Sequence, residues 1–188
     1  MATRLILLCA GATASSRIGA FPAPGEPLDA DGAAKAASFR LRGAVPTDVA
    51  ASPSRAALET AGILGYDAQP EPLLADLDHG HWSGRSLEQV QGSAPDLLGA
   101  WLSDPTQATP GGEPPQDLVA RVAAWIDARV GRSAPMLAVC PVAVMRAALS
   151  HALAMPLAAT MRVDIAPLTA MILSHHGAWR LQELRRAG

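Results

Sequence analysis

Short apolar runs alternate with helix-like patterns along this chain. Residues 4–9, with Leu5-Ile6-Leu7-Leu8 inside them, form a continuous apolar run of strand length and predict a strand buried on both faces. Residues 11–27, rich in Gly, Pro and Ser, predict a loop. Residues 31–41 predict a helix with Ala33, Ala34, Ala37 and Phe39 for its buried face. A second strand is expected over 47–51, and a helix over 54–64, stopped by Gly65. Residues 87–102 are broadly helical, with a break near Ser93-Ala94-Pro95. A Pro/Gly loop follows at 106–115, then a helix over 116–130. Residues 136–140 predict a third buried strand and 142–154 the helix after it. Residues 161–184 predict strands around a hairpin turn at Ser174-His175-His176-Gly177.

Repeated strand-loop-helix units imply an α/β fold, a mostly parallel central sheet flanked by helices. Sites in such sheets lie beyond the C-terminal ends of the strands. Chemistry is therefore expected in the loops after Leu8 and Val139. Neither a repeat nor a linker divides the 188 residues, so one domain over 1–188 is expected.

Composition changes this picture little. About half the residues are apolar and only 4% are aromatic, so Ala, Leu and Val must fill the core. The net charge is -2, with Arg and Lys scattered along the sequence. That argues against a nucleic-acid partner, which needs a basic stripe, and against electrostatic attachment to a membrane. The run after Arg4 looks faintly like a short signal peptide, but a buried first strand explains it and the alternating pattern favours the strand. Cys9 and Cys140 each end a predicted strand and read as reduced thiols of a cytoplasmic protein. The two thiols would be close if those strands are neighbours.

Five blocks, in order, carry a resemblance. Leu7-Leu8-Cys9-Ala10-Gly11-Ala12-Thr13 comes first, then Pro27-Leu28-Asp29 with Gly32 and Lys35-Ala36. Ser52-Pro53-Ser54-Arg55-Ala56 with Thr60-Ala61 is the third; Leu74, Asp76, Gly80, Trp82 and Gly84 make the fourth. The last joins Gly111-Gly112-Glu113, Arg121-Val122, Val139-Cys140-Pro141 and Arg146-Ala147. In order and spacing they resemble the histidine phosphatase superfamily, phosphoglycerate mutase-like and closest to its alpha-ribazole phosphatase-like branch. The resemblance implies a three-layer α/β fold and phosphomonoester chemistry through a phosphohistidine, with no metal or cofactor. A second His and two Arg would hold the phosphate oxygens, where charge builds in the transition state. An acid would protonate the leaving oxygen.

The departures fall on that machinery. Ala10 stands at the nucleophile position, Cys9 at the first phosphate Arg and Pro141 at the second His. Arg55, Asp76 in the acid position and Glu113 remain, and Arg17 in the loop after the first block is a candidate substrate contact. These changes imply a homologue that binds a small anionic metabolite or a partner protein without phosphohistidine chemistry. A homodimer is the assembly the resemblance allows. The alternative is an enzyme with rebuilt chemistry, using Cys140 or Asp76. Cys140 and Arg146 make a Cys-x5-Arg spacing after a strand and before a helix, the signature of cysteine-dependent phosphatases. The intervening residues hold no glycine, so an ordinary buried Cys and helix Arg explain them as well. Asp76, Asp78, His79 and His81 alternate at a spacing open to metal ligands, although Gly80 and Trp82 already fit the resemblance. His175 and His176 read as solvated turn residues, and the tryptophans as packing.

Overall fold

Alternating side chains of one central strand divide the core in two. In the computed structural model, which describes residues 3–43 and 46–186, that strand is β1 (Thr3–Cys9). Successive side chains of a strand point to opposite faces of its sheet. Leu5, Leu7 and Cys9 thus pack on one side with Trp125, Ile126, Met145 and Leu149. Ile6, Leu8 and Ala10 pack on the other with Ala56, Ala57 and Ala61. Small alanines on this second side let the helix lie close, as the shortage of aromatics requires.

The described sheet has six strands: β1, β2 (Asp48–Ala51), β3 (Gln69–Pro70), β4 (Met136–Cys140), β5 (Ala170–His175) and β6 (Trp179–Arg185), in the order β3-β2-β4-β1-β5-β6. The first four run parallel; β5 and β6 are antiparallel additions at one edge. Helices cover both faces: α1 (Ala14–Ile18), α2 (Ala30–Ser38), α3 (Arg55–Ile63), α4 (Leu87–Ser93), α5 (Pro95–Ser103), α6 (Pro115–Asp127), α7 (Val142–Ala152) and α8 (Leu157–Thr160). This is the expected mostly parallel α/β sheet flanked by helices. No helix among the described residues is long and apolar enough to cross a membrane.

Two expectations need correcting, and one strand was not foreseen. The 11–27 loop holds α1, because Thr13 caps it: its hydroxyl accepts from the Ser16 amide while the Ser16 hydroxyl accepts from the Thr13 amide. Residues 161–169 are not strand. Pro167 has no N–H to donate to a ladder, and Leu168 sits at φ 62°, outside extended geometry. The two-residue β3 escaped notice because its Pro70 argues against a strand; at a sheet edge that proline is tolerated.

Candidate ligand-binding site

The C-terminal ends of β1 and β4 open into a cavity of about 510 Å³. Cys9, Ala10 and Gly11 form one part of its wall, and Pro141, Val142 and Ala143, where α7 begins, another. The loops after Leu8 and Val139, where chemistry was expected, thus both line this cavity. The β1 loop is bonded within the protein: Ala10 N–H donates to Cys140 O at 2.9 Å and Gly11 N–H to the Thr60 hydroxyl at 3.0 Å. No amide of this loop's first two residues is left for a ligand.

Three side chains of fixed charge type line the cavity: the carboxyls of Asp76 and Glu26 and the guanidinium of Arg146. Asp76 lies on the wall, and its carboxyl is pushed up to about 6 by burial, against the pull of the Leu77 amide and the more distant Arg121. Arg146, one turn into α7, is the only Arg or Lys among the described residues lining the cavity. Burial lowers its pKa, and its Nε is buried with no hydrogen-bond partner among the described residues. Asp76 and Arg146 do not form an ion pair with each other. Cys9 lines the same cavity, its thiol pushed up to about 12 chiefly by burial, with Asp76 adding to the rise and Arg146 opposing it. It is therefore a neutral thiol at physiological pH.

Position 76 is held by a clamp the sequence did not reveal. Arg121 donates to the carbonyls of Leu73, Ala75 and Asp76 and to both oxygens of Glu113, at 2.7–3.0 Å. Five charge-assisted or carbonyl bonds on one half-buried guanidinium fix the segment carrying Asp76. Glu113 thus acts in the fold and does not line the cavity. Around the mouth, Phe21, His79, Trp82 and Trp101 pack edge to face with centroids 5.1–6.1 Å apart. His79 and Trp101 reach the cavity from this cluster. Burial lowers the His79 pKa, and its Nδ1 has no described partner. Nearby, Glu26 is held by the Ser15 amide at 2.7 Å and by the Ser15 hydroxyl.

Several candidate residues stand elsewhere. Arg55 is exposed, its Nε bonded to Glu59 at 2.8 Å one helical turn on, although its neighbours Ser54 and Ala56 line the cavity. Arg17 pairs with Asp29 and Asp31 outside it. Cys140 is fully buried, does not line the cavity, and has a thiol pushed well above its ordinary range by burial, so it is not placed to act as a nucleophile. It does lie beside Cys9, in register on the neighbouring strand, as foreseen. Arg146 belongs to the following helix, so no phosphate loop lies between it and Cys140. Of the alternating acids and histidines, Asp76 and His79 face the cavity while Asp78 and His81 are exposed; no group of three metal-ligating side chains forms among the described residues.

The sequence offered Arg146 only as the closing Arg of a Cys140 loop or as an ordinary helix Arg, not as a wall of the cavity beside Ala10. The signal for that position was helical spacing: Val142 and Arg146 are four apart and share a face of α7, and Val142 abuts the strand end where the site is expected. The apparent scatter of Arg and Lys also needs correcting. A second concavity, of about 750 Å³, gathers six of them from distant parts of the chain: Arg17, Lys35, Arg40, Arg42, Arg185 and Arg186.

Comparison with known proteins agrees with this geometry. The sequence model of the histidine phosphatase superfamily (branch 1) matches residues 5–186. No curated protein sequence matches the chain. Among solved structures, an alpha-ribazole-5'-P phosphatase candidate from Escherichia coli K-12 superposes with TM-score 0.87 at 24% identity, covering 100% of this chain and 99% of that one. The alpha-ribazole phosphatase of Shigella flexneri gives 0.85 at 21%, covering 99% and 98%. An open-reading-frame product of Mycobacterium tuberculosis gives 0.78 at 27%, covering 98% of each. At identities below 25% the likeness speaks for the fold alone. With the family match running over nearly the whole length, the chain belongs to the histidine phosphatase superfamily, branch 1.

Proposed function

We propose that this protein binds a small ligand with an apolar body and one anionic head group, a phosphomonoester or carboxylate, and does not carry out phosphohistidine chemistry. The observation that carries the reading is Arg146, the one cation lining a largely apolar cavity beside Ala10 and Pro141, where Glu26 is engaged by Ser15 and burial favours the neutral form of Asp76. A methyl group at position 10 cannot attack phosphorus. Pro141 brings neither an imidazole nor a backbone N–H. What remains favours binding: an unpartnered, desolvated guanidinium beside the N-terminal end of α7, which has no side-chain cap. The solved neighbours named as phosphatases support a phosphate ester as one form of the head group.

The test uses p-nitrophenyl phosphate for turnover and octanoate and phenyl phosphate for binding. The expected result is saturable binding of at least one anion, lost on Arg146→Met, with no turnover above background. Turnover well above background by the purified protein would overturn the non-catalytic part. Binding indifferent to Arg146→Met would overturn the rest.

A second reading rests on Asp76, whose carboxyl at about 6 suits proton transfer near neutrality. It treats the protein as an enzyme with Asp76 as general acid or base. An activity that disappears in Asp76→Asn while ligand binding persists would favour it over the first reading.

A further inference from the structure

The second concavity has nothing to do with the family's reaction centre, yet it concentrates more positive charge than the cavity just described. Its six cations come from α1, from α2 and the segment after it, and from β6 and the residue beyond. No carboxylate lines it. Four carboxylates outside its lining pair with four of the cations: Asp29 and Asp31 with Arg17, Asp31 with Lys35, Glu183 with Arg185 and Asp164 with Arg186. Those contacts orient the cations without cancelling them, six against four. Arg40 donates only to the carbonyls of Ala37 and Phe39, and Arg42 has no hydrogen bond or ion pair among the described residues. Phe39 and Leu41 add an apolar patch to the same wall.

We infer that this groove is a binding site for a polyphosphate, a chain of linked phosphate groups, either free or carried on a nucleoside. Guanidinium forks match phosphate oxygens two at a time. Arg17 and Lys35 meet at one Asp31 oxygen, while Arg40, Arg42, Arg185 and Arg186 line the concavity from two other segments, so a linear run of phosphates can engage more of the six than a single orthophosphate can. Concave walls focus the field of the clustered charges and raise the local concentration of anions. The bounded shape and the overall charge of -2 disfavour a nucleic-acid strand, which needs an extended basic stripe. The inference stands apart from the reading of the first cavity and does not depend on it.

Calorimetric titration of the full chain at low ionic strength tests it, with inorganic triphosphate, a nucleoside triphosphate and orthophosphate as probes. Expected are saturable binding of one triphosphate per chain and much weaker binding of orthophosphate. Equal affinity for the two triphosphates identifies free polyphosphate as the source. Tighter binding of the nucleoside form identifies a nucleotide, with its base against Phe39 and Leu41. The Arg40→Gln/Arg42→Gln pair should weaken binding at least about tenfold. Arg42→Gln alone, which breaks no described bond, should weaken it severalfold and guards against misfolding of the double variant. Arg132→Gln, which removes the same charge outside the groove, should leave it unchanged. Three results would each overturn the inference: no saturable binding of either triphosphate, equal weakening by Arg132→Gln, or a single-stranded oligonucleotide binding more tightly with increasing length.

Discussion

The two concavities stand back to back, and Pro167 lines both. One is largely apolar, with a single guanidinium and two carboxyls among its described lining residues; the other sets six cations among apolar side chains such as Phe39 and Leu41. The first lies where its family does chemistry, the second where nothing in the fold requires a site. Their difference teaches how charge works at two depths. A desolvated charge interacts strongly, so the reading proposed for the first cavity asks only one Arg146 to orient an anion. Exposed charges are screened by water and salt, so the groove needs many to achieve a comparable hold.

The comparison can be broken most violently at the wall between them. Gly32 packs so closely on the β1 loop that a Cβ there would lie 2.3 Å from the Ala12 carbonyl oxygen and 2.9 Å from its nitrogen, both backbone atoms that cannot rotate away. The Asp29 amide bonds that same carbonyl at 3.0 Å, and Asp29 caps the helix containing Gly32. Gly32→Ala should cost about 3 kcal/mol, the upper range for forced overpacking. For a chain of this size that lowers the thermal midpoint by about 6–12 °C in calorimetry. Ligand affinity in both concavities should fall together. A variant as stable as the parent would show that the wall is softer than its packing implies.

Asp76 sharpens the contrast from within the cavity. Its carboxyl stands at about 6, above the ordinary 3.8, so the folded state holds its proton longer than the unfolded chain does. Ionised Asp76 therefore burdens the fold. The burden is absent below about pH 4, grows as pH rises toward 6 and is complete above that, where it amounts to about 3 kcal/mol. Asp76→Asn should accordingly gain up to that much stability at pH 8 and nothing below about pH 4, read from urea unfolding at both values. A gain independent of pH would mean that packing, not charge, is the cause.

How much of this was legible in the sequence depends on the range of the interactions. The buried strands ending at Cys9 and Cys140 were plain, because a continuous apolar run of strand length has few other readings. So was the position of the cavity, since parallel strands open at their C-terminal ends. The side chains that fill it were less plain. Arg55 matched a motif, but one turn away Glu59 offered a nearer partner, a contact the family pattern does not encode. Glu113 matched too, and its role emerged only with Arg121, eight residues on, closing a bidentate pair. The groove was invisible for another reason. Residues 35–42 and 185–186 are far apart along the chain, and only the pairing of β5 with β1 and β6 brings the C-terminal arginines to the α2 side. Charge that looks scattered in sequence becomes local through strand order.

Removing the one cation of the first cavity should separate the two sites cleanly. Arg146→Met keeps the length and apolar stem of the side chain while deleting its charge-assisted hydrogen bonds, worth about 1.5–3 kcal/mol in total for a well-placed pair. The affinity of octanoate or phenyl phosphate should fall about 10–100-fold, while triphosphate binding in the groove stays unchanged. Loss of both would mean the anions share one site, and the division drawn above would fail. The variant should not be less stable than the parent, because the guanidinium it removes is desolvated and its Nε has no described partner.

Salt gives the mildest perturbation and the most discriminating one. Raising ionic strength from about 0.01 to about 0.1 M shortens the screening length from about 30 to about 10 Å, comparable with the spread of charges around a small ligand. The groove's cations are largely exposed, with Arg17, Lys35 and Arg186 at 45%, 65% and 59%, so ions reach between them and a bound polyphosphate. Triphosphate affinity should therefore fall by roughly tenfold over that interval, since several charges are screened at once. In the apolar cavity a single desolvated guanidinium meets a single head group beyond the reach of most counterions, and burial of the ligand's apolar body does not depend on salt at these concentrations. Its affinity should change less than about twofold over the same interval. Parallel titrations of both probes on one sample measure the ratio directly. Equal salt slopes would mean that the first cavity is wetter, or the groove deeper, than their lining residues imply.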